Sequence, residues 1–206
     1  MAPVSPPRRA ALFGGTFDPV HNAHLALARV ALEALALDEV RWVPAGRPWQ
    51  KERAITPAFH RESMLRLALA GTPEPGRHVL DPVELARDGP SYTIDTVREL
   101  AAAHPGTVWT LVIGQDQYAG LHTWREWRAL LASVQLAVAA RPGAPPAADP
   151  EVAALPRVLL PLPPMAVSAS DIRARVAAGQ DISALVPPEV ARYIEINGLY
   201  RAPIGS

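Results

Sequence analysis

Ala10-Ala11-Leu12-Phe13-Gly14-Gly15-Thr16-Phe17-Asp18-Pro19-Val20-His21-Asn22-Ala23-His24 is the stretch on which the fold turns. A short apolar run, Ala10–Phe13, ends in two glycines, which predicts a buried strand. A bent polar loop follows, and then Leu25–Leu37, rich in Ala and Leu, which reads as a helix. Glycines let a backbone approach a ligand closely, and a helix N-terminus offers free N–H groups to an anion. His21 and His24 stand three apart at the helix start. Their rings share one face there and can donate hydrogen bonds to phosphate oxygens. Taken alone, His-x-x-His is often incidental. A zinc site is disfavoured, because no cysteine and no third ligand stand nearby. The glycine fingerprint of dehydrogenases, G-x-G-x-x-G, is absent, as is the phosphate loop ending in Gly-Lys-Ser/Thr.

Outward from this stretch, strands and helices alternate. Further strands are expected at Val40–Val43, Val79–Leu80, Val108–Ile113, Leu136–Ala140 and Val158–Leu160. Further helices are expected at Phe59–Leu69, Thr93–Ala103, Trp124–Leu131, Asp171–Ala178 and Pro188–Ile196. Thr56-Pro57 reads as a cap with a first-turn proline. The pattern predicts a Rossmann-like α/β fold, a doubly wound parallel sheet with helices on both faces and a small C-terminal helical portion. Residues 1–206 are expected to form a single domain. Within it, 1–8 read as a flexible N-terminus, 141–157 as a surface loop and 168–200 as C-terminal helices. Ligands in such folds sit at the carboxyl ends of the strands, where strand order reverses. Gly14–His24, Pro44–Lys51 and Gly114–Trp124 all belong to that rim.

Composition narrows the chemistry. The 206 residues carry 20 basic and 20 acidic side chains, so no net charge drives binding to nucleic acid. Cysteine is absent, which removes disulfides, thiolate metal sites and cysteine nucleophiles. No segment reads as a signal peptide or membrane span, so a cytoplasmic location is expected. Nineteen of the 20 basic residues are arginine, and Lys51 is the one lysine.

Other stretches carry polar chemistry. Gly114-Gln115-Asp116 ends a strand with an acid that can accept hydrogen bonds from ribose hydroxyls or an amide. Trp124 can stack on a flat heteroaromatic ring. Trp127, three residues on, reads as core. Ser91 and Thr93 precede a helix and suit capping, as do Ser168 and Ser170 before Arg173. A capped N-terminus with two hydroxyls and an arginine is also an anion site.

Gly14–His24 closely resembles the signature G-G-T-F-D-P-[IV]-H-x-G-H of the nucleotidyltransferase superfamily, in the spelling of bacterial nicotinate-nucleotide adenylyltransferases. Ala23 departs from it by replacing the usual Gly. Pro44–Lys51 is similar to that family's V-P-x-x-x-P-P-H-[KR], with Trp49-Gln50 in place of Pro-His. Ser91–Thr96 resembles S-Y-T-x-[DN]-T, and Ile113–Trp124 resembles I-G-x-D…L-x-x-W. Val167–Arg173 resembles I-S-S-T-x-I-R, with Ala169 replacing one Ser and Ser170 replacing Thr. The likeness runs from about Arg9 to Tyr200.

The resemblance implies transfer of the adenylyl group of ATP to nicotinate mononucleotide, giving deamido-NAD and pyrophosphate. It makes His21, His24, Lys51 and Arg173 the catalytic candidates. For ATP it implies Gly14, Gly15, Thr16, Phe17, His21, His24, Ser168, Ser170 and Arg173. For the mononucleotide it implies Thr16, Lys51, Thr93, Asp116, Trp124 and Arg125. Mg²⁺ is expected to be carried with ATP and to have few direct protein ligands. No nucleic acid or membrane partner is expected, and a homo-oligomer is left open. Alternatives are a sister adenylyltransferase acting on nicotinamide mononucleotide or phosphopantetheine, and a non-catalytic nucleotide sensor.

Overall fold

The computed structural model describes residues 6–47, 55–74, 76–140 and 147–201. Strand β1 (Arg9–Gly15) lies at the middle of the sheet. Its residues alternate between two cores: Ala11 and Phe13 join one apolar cluster, and Ala10 and Leu12 the other. A strand buried on both faces belongs to a sheet covered on both sides. Strands β2 (Glu39–Pro44), β3 (His78–Leu80), β4 (Val108–Ile113), β5 (Gln135–Ala140) and β6 (Val158–Pro161) complete it. The order is β3-β2-β1-β4-β5-β6, and every neighbouring pair is parallel. The chain builds outward from β1 to β3, then returns to place β4 on the other side of β1. That reversal opens a crevice beyond the carboxyl ends of β1 and β4.

Helices α1 (Asn22–Ala34), α2 (Ala58–Ala70), α3 (Thr93–Ala103), α4 (Gln115–Ala119), α5 (Trp127–Ser133), α6 (Pro150–Ala153), α7 (Ala169–Ala177) and α8 (Pro188–Ile196) cover the sheet. On α1 the buried residues are Leu27, Ala28, Ala31 and Leu32, the stripe that a 3.6-residue period puts on one face.

Several boundaries differ from the sequence reading. The first strand does not stop at Phe13 but carries both glycines, which pair with Val43 and Pro44. Helix α1 begins at Asn22 and ends at Ala34, short of Leu37. Ala36 adopts φ 47°, and the Leu37 N–H bonds to the Leu32 carbonyl at 3.1 Å, a left-handed stop made without glycine. Thr56 is not the cap of α2, because Pro57 holds that position with extended backbone. Trp124–Leu131 is not one helix. Glu126 takes φ 50°, so α5 starts at Trp127 and Trp124 is left extended. The 141–157 loop contains α6, whose Val152 is fully buried and whose start is capped by Asp149. At the N-terminus Arg8 is tied down, its carbonyl accepting from Val108 N and its guanidinium reaching the buried Glu39.

Candidate active site

The crevice at the β1/β4 switch point encloses about 440 Å³. On one side lie Gly14, Gly15, Thr16, Phe17, Asp18 and His24 from the end of β1 and the start of α1, with Ser170 and Arg173 from α7. On the other lie Glu84, Ser91, Thr93, Gly114, Asp116 and Trp124.

His21 is the N-cap of α1 and His24 its third residue, so one helical turn superposes them. Their rings stack at 3.6 Å with 20° between planes. His24 Nδ1 accepts the His21 backbone N–H at 3.2 Å, which makes Nε2 the nitrogen that carries the proton. Burial pushes His21 down to about 4. Burial, and then the neighbouring His21, push His24 well below the usual imidazole range. Both rings are therefore neutral at pH 7, and His24 presents a neutral N–H donor. Phe17 supports it from below, edge-on at 5.2 Å, with Phe13 and Trp42 packed behind. Phe17 holds φ 47°, and a Cβ on Gly15 would stand 3.0 Å from its ring, so the second glycine makes room for this aromatic floor.

Two groups that the sequence reading passed over hold this side in place. Arg61 on α2 is 1% exposed. Its Nε donates to the Thr56 carbonyl and its Nη1 to the Thr16 carbonyl, both at 2.9 Å, and its Nη2 reaches the Gly46 carbonyl at 3.5 Å. It therefore ties the loop after β1 to both ends of the β2–α2 connection. Burial lowers its pKa, opposed by the charge of Asp18. Asp18 is also 1% exposed, and its carbonyl accepts from Arg173 Nη1 at 2.7 Å. A visible signal existed for Arg61. It shares a helical stripe with Met64, Leu65 and Ala68, and a charge on an apolar face needs buried partners.

The opposite side is built differently. Neither Ser91 nor Thr93 caps α3, whose N-cap is Tyr92. Instead Ser91 Oγ accepts the N–H groups of Gly46 at 3.0 Å and Arg47 at 3.2 Å, locking the loop after β2 to the start of α3. Gly46 permits this close approach, since a Cβ there would fall 2.1 Å from the Glu84 carbonyl. Glu84 itself is buried, accepts from Thr96 Oγ1 at 2.6 Å, and is held above the usual carboxylate range mainly by desolvation. Asp116 is exposed in the first turn of α4. Trp124 is half-buried and lines the crevice, while Trp127 is buried in the core.

Not every candidate reaches the crevice wall. His21 lies behind His24, and Ser168 is spent capping α7, accepting from Asp171 N at 3.1 Å. Arg125 stacks on the Tyr92 ring at 4.8 Å instead of lining the cavity. Lys51, with Trp49 and Gln50, lies outside the described residues. Among the described residues, no three His, Asp or Glu side chains converge to hold a metal ion, and no helix is long and apolar enough to cross a membrane.

Comparison with known proteins gives the arrangement a family. Residues 12–175 match the cytidylyltransferase-like family model. A nicotinate-nucleotide adenylyltransferase of Methylibium petroleiphilum is 50% identical, covering 98% of this chain and 97% of its own. One of Bordetella petrii is 53% identical over 94% of this chain and all of its own. The fold is shared with a nicotinic acid mononucleotide adenylyltransferase of Plasmodium falciparum solved with NaAD (TM-score 0.78, 20% identity, 94% of this chain and 97% of that one). With motifs, topology and near-full-length identity in agreement, the chain belongs to the nicotinate-nucleotide adenylyltransferase family within the cytidylyltransferase-like group.

Proposed function

We propose that the crevice transfers the adenylyl group of ATP to nicotinate mononucleotide, yielding deamido-NAD and pyrophosphate in NAD biosynthesis. The observation that carries this reading is the meeting, across one switch-point crevice, of a phosphate-type wall (Gly15, His24, Ser170, Arg173) and a wall suited to a flat ring and ribose (Thr93, Asp116, Trp124).

A 5′-phosphate oxygen of the mononucleotide forms the new bond to the α-phosphorus of ATP, and the bond to the β,γ-pyrophosphate breaks. The nucleophile is already anionic, so no strong base is required. Alignment and charge neutralisation carry the step. His24 Nε2–H donates to the transferred phosphate, and His21 holds its ring from behind. A neutral donor suits this place, because burial would make an imidazolium costly until phosphate arrived. Gly14, Gly15, Thr16 and Phe17 receive the nucleotide. Arg173 and Ser170 neutralise the leaving pyrophosphate, with Ser168 fixing the helix start beneath them. Lys51 and Thr16 serve the acceptor phosphate, Asp116 the ribose, Trp124 the pyridine ring, and Thr93 the ring carboxylate, with Arg125 at the margin.

Nucleotidyltransferases of this kind use a divalent metal with ATP. Mg²⁺ carried with ATP would supply this role by neutralising triphosphate charge. Ser170 and Arg173 of the crevice would face the phosphates that carry such a cation. The setting is cytoplasmic.

Pyrophosphate release from ATP is the test, with the acid mononucleotide, the amide mononucleotide and phosphopantetheine as separate acceptors. Release with the acid mononucleotide, well above the other two, is expected. Release only with another acceptor, or ATP binding without any release, overturns the reading.

A further inference from the structure

The signature loop is gripped from the far end of the chain. Past α8 the backbone turns at Gly198 (φ 61°), and Tyr200 follows with φ 63°, a conformation that bulky residues rarely adopt. The turn carries the Tyr200 side chain back against the core cluster. There its hydroxyl donates to Asp18 Oδ1 at 2.7 Å, across 182 positions of sequence. Desolvation and the Asp18 charge push the phenol well above the usual tyrosine range, so it remains a donor. Asp18 lines the crevice beside His24. Its other oxygen faces Thr56 N at 3.5 Å, and the charges of Arg61 and Arg173 lie close by. A carboxylate bordering a triphosphate site repels its ligand unless hydrogen bonds and cations fix it and spread its charge. The same residue's carbonyl holds Arg173.

We propose that Tyr200 is a positioning residue for adenylyl transfer. Its phenol fixes the Asp18 carboxylate, and through Asp18 it sets the Thr16–His21 turn and Arg173 where the triphosphate must be received. Tyr200 touches neither substrate. The inference rests on the adenylyl-transfer reading above, and wild-type turnover tests that reading separately.

The experiment is steady-state pyrophosphate release by wild type, Tyr200→Phe, Asp18→Asn and the double variant, with Tyr193→Phe as control. Tyr193 also lies in the C-terminal region, and its hydroxyl meets His60 Nδ1 at 2.9 Å between α2 and α8, away from the crevice. Thermal melts set an assay temperature at which every variant is folded. Misplacing reacting groups by about an ångström can cost about 100-fold, and a lost support short of that about 10-fold. Tyr200→Phe is therefore expected to lower kcat about 10-fold and raise the KM for ATP several-fold, leaving the KM for the mononucleotide within about two-fold. In the Asp18→Asn background the same change adds little, because both act through one contact. Tyr193→Phe lowers the melting temperature and leaves kcat unchanged.

Three results overturn the proposal: wild-type kcat and ATP KM in Tyr200→Phe, an equal kcat loss in Tyr193→Phe, or full additivity with Asp18→Asn. An inactive wild type overturns the adenylyl-transfer reading, and the proposal with it.

Discussion

The two walls of the crevice are made by opposite means. The wall around His24 stands on a buried polar hub: Asp18 and Arg61 are each 1% exposed, and both hold loops through hydrogen bonds. The wall around Trp124 has a buried hydrogen bond of its own, Thr96 to Glu84, but close to Trp124 it stands on surface interactions. Arg125 lies over Tyr92, and Arg98 reaches Glu126 at 2.6 Å with both side chains about half exposed. Buried polar networks are rigid and costly to disturb, whereas exposed ion pairs are screened by water and salt and contribute little. On the proposed function, His24 and Arg173, which would meet the ATP phosphates, belong to the wall on the buried hub, and Trp124, which would meet the acceptor ring, to the more exposed wall.

The contrast breaks most readily at Arg61. Arg61→Leu strips a donor from the Thr16, Thr56 and Gly46 carbonyls and leaves Asp18 with one fewer cation. Urea denaturation is expected to show a loss of about 3–5 kcal/mol, as when a buried charge loses its partner. A loss below about 1 kcal/mol would show that the hub is not what makes this wall rigid.

Acid attacks the same wall. Burial depresses both histidines below the 6.5 of the unfolded chain, His21 to about 4. Between those values the unfolded chain binds protons that the folded one refuses. Their contribution is therefore whole above pH 6.5 and is lost as pH falls toward 4, by up to about 3 kcal/mol for His21. Glu84, shifted upward, opposes this nearer its own range. Stability measured from pH 7 to 4 should fall less steeply in His21→Asn than in wild type.

His24→Ala removes the neutral donor. We expect kcat to drop about 100-fold, with mononucleotide affinity nearly kept. Near-normal turnover would remove His24 from the mechanism.

The smallest effect belongs to the other wall. Trp124→Ala should raise the mononucleotide KM about 10-fold through lost stacking, with the melting temperature little changed. A large loss of stability would instead make Trp124 part of the core and erase the difference between the walls.

Much of this was legible in residue order. The six strands of the described residues appear where apolar runs end in Gly, Pro or polar residues, and alternation with helices implies the parallel sheet. Ala36 and Glu126 were not legible, since neither residue type announces a left-handed backbone, and tertiary packing selected it. Ser91 looked like a cap because caps are local, but its acceptor lone pairs found better donors on the loop after β2. Asp18 and Tyr200 could not be paired from a distance of 182 residues.

The sequence by itself determined the periodicities, the glycine-bounded strand ends, and the residues able to meet phosphate and ring, because each depends on neighbours a few positions apart. Only the tertiary structure decided which of these residues face the crevice, that His21 lies behind His24, and that a C-terminal tyrosine holds the first loop. Those outcomes depend on burial, which lowers the histidines and favours arrangements in which buried donors such as Arg61 and Tyr200 meet acceptors, and burial is a property of the whole packed chain.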